Sequence, residues 1–124
     1  RPLIKVLYVE DADTNRLVMK AMMAKFAVEL TMAESAMEGL KLARENRFDL
    51  IITDIQMPFH TGIELRQWLA DDDDIHAPNI IAFTANAETT KIKEYINIGF
   101  NDVITKPLTL AKFSSFLKPY LDAL

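Results

Sequence analysis

The sequence predicts an α/β fold in which helices separate five parallel strands, giving a doubly wound three-layer sandwich. Two observations predict it. Short apolar runs rich in isoleucine and valine alternate with longer segments of helical period, five times in succession. The strands are almost continuously apolar, which is typical of a sheet covered by helices on both faces. Because strands joined through helices run parallel, all five carboxyl ends should lie at one edge of the sheet.

Each predicted strand is a short apolar or β-branched run, and each helix has a local start or stop signal. The strands are Leu3–Val9, Val28–Ala33, Leu50–Thr53, Asn79–Ala85 and Asp102–Thr105. The helices cover Asp13–Phe26, Ser35 to about Asn46, Thr61–Leu69, about Glu88–Ile98 and Leu110–Leu117. Asp13 or Thr14 is placed to cap the first helix. Ser35 and Thr61 open capping boxes, and Gly99 is placed to end the fourth helix.

Bulk composition limits the function classes. The length of 124 residues and an apolar fraction of 50% suit a single domain over residues 1–124. A net charge of −4, from 14 basic and 18 acidic residues, argues against a nucleic-acid-binding surface. The sequence contains no cysteine, which excludes disulfides and thiolate metal sites. No apolar run approaches the roughly 20 residues that a membrane span needs.

Polar side chains stand where the predicted strands end. They are Glu10 and Asp11 after the first strand, Asp54 after the third, Thr84 on the fourth and Lys106 after the fifth. Ligands of open parallel sheets bind at this edge, beside the point where the strand order reverses. A lone carboxylate such as Asp54 is costly to bury unless it is paired or bound to a cation. If the strand order is 2-1-3-4-5, strands 1, 3, 4 and 5 are contiguous, and we expect these groups to form one pocket.

The chemistry of this pocket suits phosphoryl transfer. Three carboxylates are hard oxygen donors of the kind that Mg²⁺ prefers, with Mn²⁺ as an alternative. A bound cation would relieve repulsion among them and allow Asp54 to approach an anionic phosphoryl group. Lys106 would neutralise a phosphoryl oxygen, while the Thr84 hydroxyl and neighbouring backbone N–H groups would donate to others. Asp54 is the predicted nucleophile and would form an acyl phosphate.

Four segments together resemble the receiver domain of two-component response regulators. They are VLYVED, LIITDIQMP, IIAFTAN and GFNDVITKPL, and they occur in family order over essentially the whole chain. The resemblance implies a flavodoxin-like (βα)5 fold with strand order 2-1-3-4-5. It also implies Mg²⁺-dependent acceptance of a phosphoryl group from a phosphohistidine. The phosphorylated domain would then change conformation or pass the phosphate to a phosphotransfer protein. Such a domain catalyses its own aspartyl phosphorylation and dephosphorylation.

The resemblance also implies a role for each matching residue. The phosphoacceptor is Asp54; the metal site is formed by Asp11, Asp54, the backbone carbonyl of Gln56 and, through water, Glu10; the phosphoryl group is held by Thr84, Ala85 and Lys106; and the bond before Pro107 is cis. The family usually has an aromatic switch residue three positions before the lysine. Here that position is Val103, so aromatic switching cannot take its usual form.

The resemblance names partners, and the first helix suggests where they bind. A histidine kinase or a histidine phosphotransfer protein is the expected phosphodonor. The segment Leu17–Val28 is apolar at ten positions and carries two lysines, more than one buried stripe requires. Either its outer face, including Leu17 and Ala21, docks the donor, or the alanines inflate the count and the rest is core.

Three other classes and two contexts remain open. An aspartyl-phosphate phosphohydrolase would need a second aspartate where the chain has Gln56. A flavin- or nucleotide-binding domain is disfavoured because none of the three glycines forms a loop after the first strand. A phosphorylation-silent binding module is disfavoured because the set Glu10, Asp11, Asp54, Thr84 and Lys106 is intact. The VEDADTNR segment and Val103 favour the receiver of a hybrid histidine kinase over a stand-alone regulator. The expected location is cytoplasmic, with membrane contact only through such a parent chain.

Overall fold

The computed structural model describes residues 3–76 and 79–123, which form five strands and five helices in strict alternation. In chain order the elements are β1 (Ile4–Val9), α1 (Asp13–Met23), β2 (Val28–Ala33), α2 (Ala36–Glu45), β3 (Leu50–Asp54), α3 (Gly62–Asp71), β4 (Ile80–Thr84), α4 (Thr89–Ile98), β5 (Asp102–Thr105) and α5 (Leu110–Asp122). Within the described ranges, no helix combines the length and apolarity that crossing a membrane requires.

The five strands form one parallel sheet in the order β2-β1-β3-β4-β5, which confirms the predicted fold class and strand order. Strand order reverses at β1, which lies between β2 and β3. The crevice at the carboxyl ends of β1 and β3 is therefore the place where this architecture binds ligands.

Helices cover both faces of the sheet, each with its own apolar cluster. One cluster joins the sheet to α1 and α5 through side chains such as Met19, Met23, Phe113 and Leu117. The other joins it to α2, α3 and α4 through Leu40, Leu65 and Tyr95, among others. Strands β3 and β4 are buried along their whole length, which explains their unbroken apolar sequence.

The structure corrects three helix boundaries or caps. The cap of α1 is Ala12, and no side chain of the described residues caps it; Asp13 is instead the first helical residue and pairs with Arg16. Helix α1 ends at Met23, not Phe26. Helix α5 continues to Asp122, past the predicted end at Leu117. Phe116, Tyr120 and Leu121 extend the buried face of α5, so packing rather than the short apolar pattern determines its length.

The other predicted signals are present. The Ser35 hydroxyl accepts a hydrogen bond from the Glu38 N–H at the start of α2. Thr61 and Glu64 form a complete capping box at the start of α3. Gly99 follows α4 with φ of 127°, a conformation that other residues rarely adopt.

Candidate functional site

Asp54 is the last residue of β3 and lies in the centre of the sheet. It pairs with Phe83 of β4, and only 5% of its surface is exposed, so it is more buried than a position at the pocket rim would be. The start of α3 packs against its backbone: a Cβ on Gly62 would lie 2.3 Å from the Asp54 carbonyl oxygen. Only glycine therefore permits this approach of α3 to the site.

Three carboxylates meet at the carboxyl edge, as the sequence predicted. Oxygens of Glu10, Asp11 and Asp54 all lie within 4.8 Å of one another. Glu10 is almost fully buried, whereas Asp11 is exposed. The cluster thus has two inner carboxylates and one that faces solvent.

Lys106 reaches this cluster from the end of β5. Its Nζ donates to Asp54 Oδ1 at 3.2 Å and lies 3.5 Å from Glu10 Oε1. The same ammonium stands 5.0 Å from the centre of the Phe83 ring. The Lys106–Pro107 peptide bond is cis. The Lys112 ammonium donates to the carbonyl oxygens of Thr105 and Pro107, the residues immediately before and after Lys106.

The electrostatics of the two inner carboxylates differ. Burial, together with the nearby Glu10 charge, raises the pKa of Asp54 to about 6, although Lys106 opposes the shift. Burial also disfavours the charged form of Glu10, but hydrogen bonds from Asp54, the Ala12 N–H and Tyr8, with the Lys106 charge, bring its pKa below the usual value. Without a cation, a proton taken up by this pair below about pH 6 therefore resides on Asp54 rather than on Glu10.

Sequence reasoning missed the side chains that hold Glu10. The Tyr8 hydroxyl donates to Glu10 Oε1 at 3.0 Å, and Asn15 Nδ2 donates to the same oxygen at 3.2 Å. The Ala12 N–H donates to Oε2 at 3.3 Å. Burial and the Glu10 charge raise the pKa of Tyr8, so its hydroxyl remains a donor. The available signal was a tyrosine two residues before the acidic pair, on the same face of β1.

The remaining predicted site residues lie around the same edge. Thr84 is buried at the end of β4, its carbonyl accepts from the Lys106 N–H, and its hydroxyl oxygen accepts from the Asn86 N–H. The Thr84 hydroxyl proton is not used by that bond and is free to be donated. Ala85 and Gln56 are exposed in the loops that follow β4 and β3.

Val103 is half-buried in β5 and packs against the cluster under α2, α3 and α4. It pairs with Ala82 of β4. It is therefore on the side of the sheet opposite to Phe83 and the pocket of Lys106, as strand alternation requires.

Other polar residues singled out by the sequence lie apart from the pocket. His60 is half-buried, with its ring 4.9 Å from that of Trp68. Trp68 packs at the border of the core. In the acidic run after α3, Asp72 accepts from Arg44 at 2.9 Å, while Asp73 and Asp74 are exposed.

A family model described as the response regulator receiver domain matches residues 6–118. This chain belongs to that family. Its function is therefore that of a receiver domain in two-component phosphorelay signalling. The acidic cluster, the lysine that contacts it and strands β2 to β5 lie within the matched range, which begins inside β1.

Two curated relatives show this receiver domain in different settings. It is 34% identical over 116 residues to the polar-differentiation response regulator DivK of Brucella anthropi, covering 94% of each chain. It is 31% identical over 124 residues to the aerobic respiration control sensor protein ArcB of Escherichia coli. That match covers 98% of this chain but 16% of ArcB.

Solved receiver structures match the fold closely. The receiver domain of sensor histidine kinase PA1611 from Pseudomonas aeruginosa, which has magnesium coordinated in its active site cleft, aligns with a TM-score of 0.85 and 25% identity, covering 97% of this chain and 98% of that one. The receiver domain of Ssk1, in complex with the phosphotransfer protein Ypd1 of Saccharomyces cerevisiae, aligns with a TM-score of 0.86 and 26% identity. The alignment covers 99% of this chain and 93% of that one.

The donor set in this receiver domain fits a divalent cation. Three carboxylates converge within 4.8 Å, and Lys106 is the ammonium that contacts two of them. Once Asp54 ionises, one ammonium cannot balance three negative charges in a largely buried pocket. A hard, doubly charged ion such as Mg²⁺ supplies the missing charge with the ligands it prefers.

Proposed function

We propose that Asp54 accepts a phosphoryl group from a phosphohistidine of a partner protein. The observation that carries this proposal is the position of Lys106 Nζ, 3.2 Å from Asp54 Oδ1 inside the acidic cluster. That arrangement places a nucleophilic oxygen, a counter-charge for the incoming phosphoryl group and cation ligands in one pocket.

The proposed reaction moves the phosphoryl group from a histidine nitrogen to an Asp54 oxygen. An oxygen of Asp54 forms a bond to phosphorus as the phosphorus–nitrogen bond of the phosphohistidine breaks, and the imidazole leaves with the bonding electron pair. The product is an acyl phosphate on Asp54. Lys106, the Thr84 hydroxyl and the Ala85 N–H are the groups we assign to the phosphoryl oxygens. Lys106 already contacts Asp54, so this counter-charge is in place before the transfer.

Glu10, Asp11, Asp54 and the backbone carbonyl of Gln56 would hold the cation, which we propose to be Mg²⁺ or Mn²⁺. The cation would neutralise charge that otherwise repels an anionic phosphoryl group. The chain's own contribution is to keep Glu10 and Asp54 buried and close together.

The response to phosphorylation is proposed to pass through Thr84. Its hydroxyl lies at the pocket and its backbone carbonyl binds the Lys106 N–H, so it connects β4 to β5. Any output depends on phosphate favouring one conformation over another. Val103 supplies no ring that could turn with Thr84, so this receiver domain is proposed to signal without an aromatic switch.

We propose that the phosphodonor, a histidine kinase or phosphotransfer protein, docks on α1. Only Met19 and Met23 of this helix are fully buried. Leu17 is 68% exposed, Ala21 is exposed beside it, and Val18 is half-exposed at 49%. An unpaired apolar surface next to the phosphoacceptor pocket is suited to a helical partner.

The setting of the receiver domain is also a proposal. Residues 1–124 would form one receiver unit, located in the cytoplasm, either as a regulator or within a hybrid kinase. The similarity to the sensor protein ArcB supports the hybrid case, while that to DivK supports the regulator.

Acetyl phosphate tests the proposed chemistry directly. Incubation of the protein with acetyl phosphate and Mg²⁺, followed by intact-mass measurement, should give a single phosphoryl adduct. The adduct should be lost with EDTA and in Asp54→Ala. Equal labelling of wild type and Asp54→Ala would refute the assignment, and sustained turnover of varied phosphoesters would favour a phosphohydrolase.

Docking is tested by comparing donors. Leu17→Glu and Ala21→Glu should slow transfer from a phosphorylated phosphotransfer protein while leaving labelling by acetyl phosphate intact. Ala70→Glu on α3, which also replaces an exposed neutral side chain by a carboxylate, serves as a charge-matched control. Equal loss with both donors would refute docking on α1.

A further inference from the structure

Tyr8 carries a hydroxyl at a position where packing alone would not require one. On its face of β1, the neighbouring side chains are Ile4 and Val6, and all three residues are essentially buried. A buried hydroxyl is unfavourable unless it finds a hydrogen-bond partner. The partner of Tyr8 is Glu10 Oε1 at 3.0 Å, which directs the hydroxyl to the acidic cluster.

The two oxygens of Glu10 are held differently. Oε1 accepts hydrogen bonds from the Tyr8 hydroxyl and the Asn15 amide, while Oε2 accepts one from the backbone N–H of Ala12. Lys106 Nζ is 3.5 Å from the same Oε1 but 3.2 Å from Asp54 Oδ1. Because Tyr8 and Asn15 already donate to Oε1, they compete with Lys106 for that oxygen.

We infer that Tyr8, assisted by Asn15, is a positioning residue for the cation site. Its hydroxyl fixes the orientation of the Glu10 carboxylate by binding Oε1. Oε2, which has fewer hydrogen bonds, then faces the cation site, and the Lys106 ammonium stays bonded to Asp54. This inference rests on the proposed role of Glu10 in the cation site. Partners behind a metal ligand commonly determine its orientation, and therefore the affinity for the metal.

The aromatic contacts give Tyr8 the rigidity that this role requires. Its ring lies 6.1 Å from that of Phe83, and Phe83 supports the Lys106 ammonium at 5.0 Å. The two neighbouring aromatic residues thus contact both charged groups: Tyr8 bonds to Glu10, and Phe83 packs against Lys106. A tyrosine held on one side by packing and on the other by a hydrogen bond has little freedom to turn.

The test is the Mg²⁺ affinity of Tyr8→Phe, measured by titration calorimetry. The substitution keeps the ring and removes the hydroxyl, and we expect binding about five- to tenfold weaker than in wild type. Tyr95→Phe is the matched control: it is a buried tyrosine in the cluster on the other face, and its Mg²⁺ affinity should match wild type. Thermal unfolding of the metal-free variants separates lost affinity from lost stability.

A double-mutant cycle with Glu10→Gln shows whether Tyr8 acts through Glu10. If it does, Tyr8→Phe should cause no further loss of affinity in the Glu10→Gln background. Equal losses in both backgrounds, or an unchanged affinity in Tyr8→Phe while Glu10→Gln binds weakly, would overturn the inference alone. An unchanged affinity in Glu10→Gln would instead overturn the proposed cation role of Glu10. Should Tyr8→Phe not fold, Asn15→Ala removes the other donor to Oε1, and wild-type affinity there would also overturn the inference.

Discussion

The two halves of the carboxyl-edge pocket are built differently. The acidic half, Glu10, Asp11 and Asp54 from β1 and β3, has two almost fully buried carboxylates with several partners. The basic half consists of Thr84 and Lys106, from the ends of β4 and β5. It contacts the acidic half through the Lys106 ammonium, and the side chain of this lysine is 24% exposed. The acidic half is therefore fixed by packing at the centre of the sheet. The basic half depends on a long side chain and a loop near its edge.

Both halves are proposed to take part in acceptance of the phosphoryl group, but only the basic half is proposed to rearrange in the response to it. The proposed nucleophile and the proposed cation ligands are fixed by packing before any phosphodonor arrives, so acceptance needs little rearrangement. Of the residues that would respond, Thr84 is buried, whereas Val103 and Lys106 are half-buried at the edge strand β5, where two arrangements can have similar free energies. Changes in the acidic half should therefore affect affinity and rate, whereas changes at Val103 should affect only the response.

The largest effect is expected from Lys106→Ala. The substitution removes the ammonium that contacts Asp54 and Glu10, and with it the counter-charge for a phosphoryl oxygen. The rate of adduct formation from acetyl phosphate should fall on the order of 10²-fold, as for loss of one transition-state donor. Lys118→Ala, at an exposed position of α5, should retain the wild-type rate. A rate within about twofold of wild type in Lys106→Ala would mean that the basic half has no part in acceptance.

Asp54→Asn should stabilise the metal-free protein at neutral pH. The pKa of Asp54 is about 6 in the folded protein, above the ordinary 3.8, so the folded state binds a proton that the unfolded state lacks between these values. The free energy of unfolding should thus fall by on the order of 1–3 kcal/mol as pH rises through this window, and it should not recover above it. Urea unfolding from pH 4 to 8 should show this slope in wild type and not in Asp54→Asn. A wild-type slope of the opposite sign would contradict the account.

Asp11→Asn should weaken Mg²⁺ binding, because it removes one of the three carboxylate charges of the cluster. A loss of about tenfold in affinity is expected. Asp13→Asn is the control, since this exposed carboxylate pairs with Arg16 and is not part of the cluster. The assignment of Asp11 fails if both variants bind Mg²⁺ equally well.

Val103→Tyr should have the smallest effect on acceptance. Val103 packs on the face opposite to Phe83, so adduct formation should stay within about twofold of wild type. Hydrogen exchange in α4, compared with and without acetyl phosphate and Mg²⁺, should respond to phosphorylation more in the variant than in wild type. A large change in the rate of adduct formation would show that Val103 affects acceptance as well as the response.

The sequence predicted the sheet and the pocket well for a physical reason. Apolar strands between helices allow few arrangements, and the ends of parallel strands must meet at one edge. With the strand order that the family resemblance implied, this placed Glu10, Asp11, Asp54 and Lys106 together. It could not show that Tyr8 binds Glu10, because a tyrosine in an apolar strand is equally consistent with ordinary core packing.

Helix ends were harder to predict because propensity competes with packing. The apolar pattern continues beyond Met23, so it could not show where α1 ends. Asp13 is a good capping residue by type, yet it lies inside the helix, where it pairs with Arg16. At α5, side chains beyond Leu117 pack onto the sheet and extend the helix.

The most direct test of the central claim locates the phosphoryl group. After incubation with acetyl phosphate and Mg²⁺, reduction with borohydride converts a phosphorylated aspartate to homoserine, which peptide mass spectrometry can place in the sequence. We predict homoserine at position 54 alone, and none when Mg²⁺ is removed. Homoserine at position 11, or at another carboxylate in place of Asp54, would contradict the account.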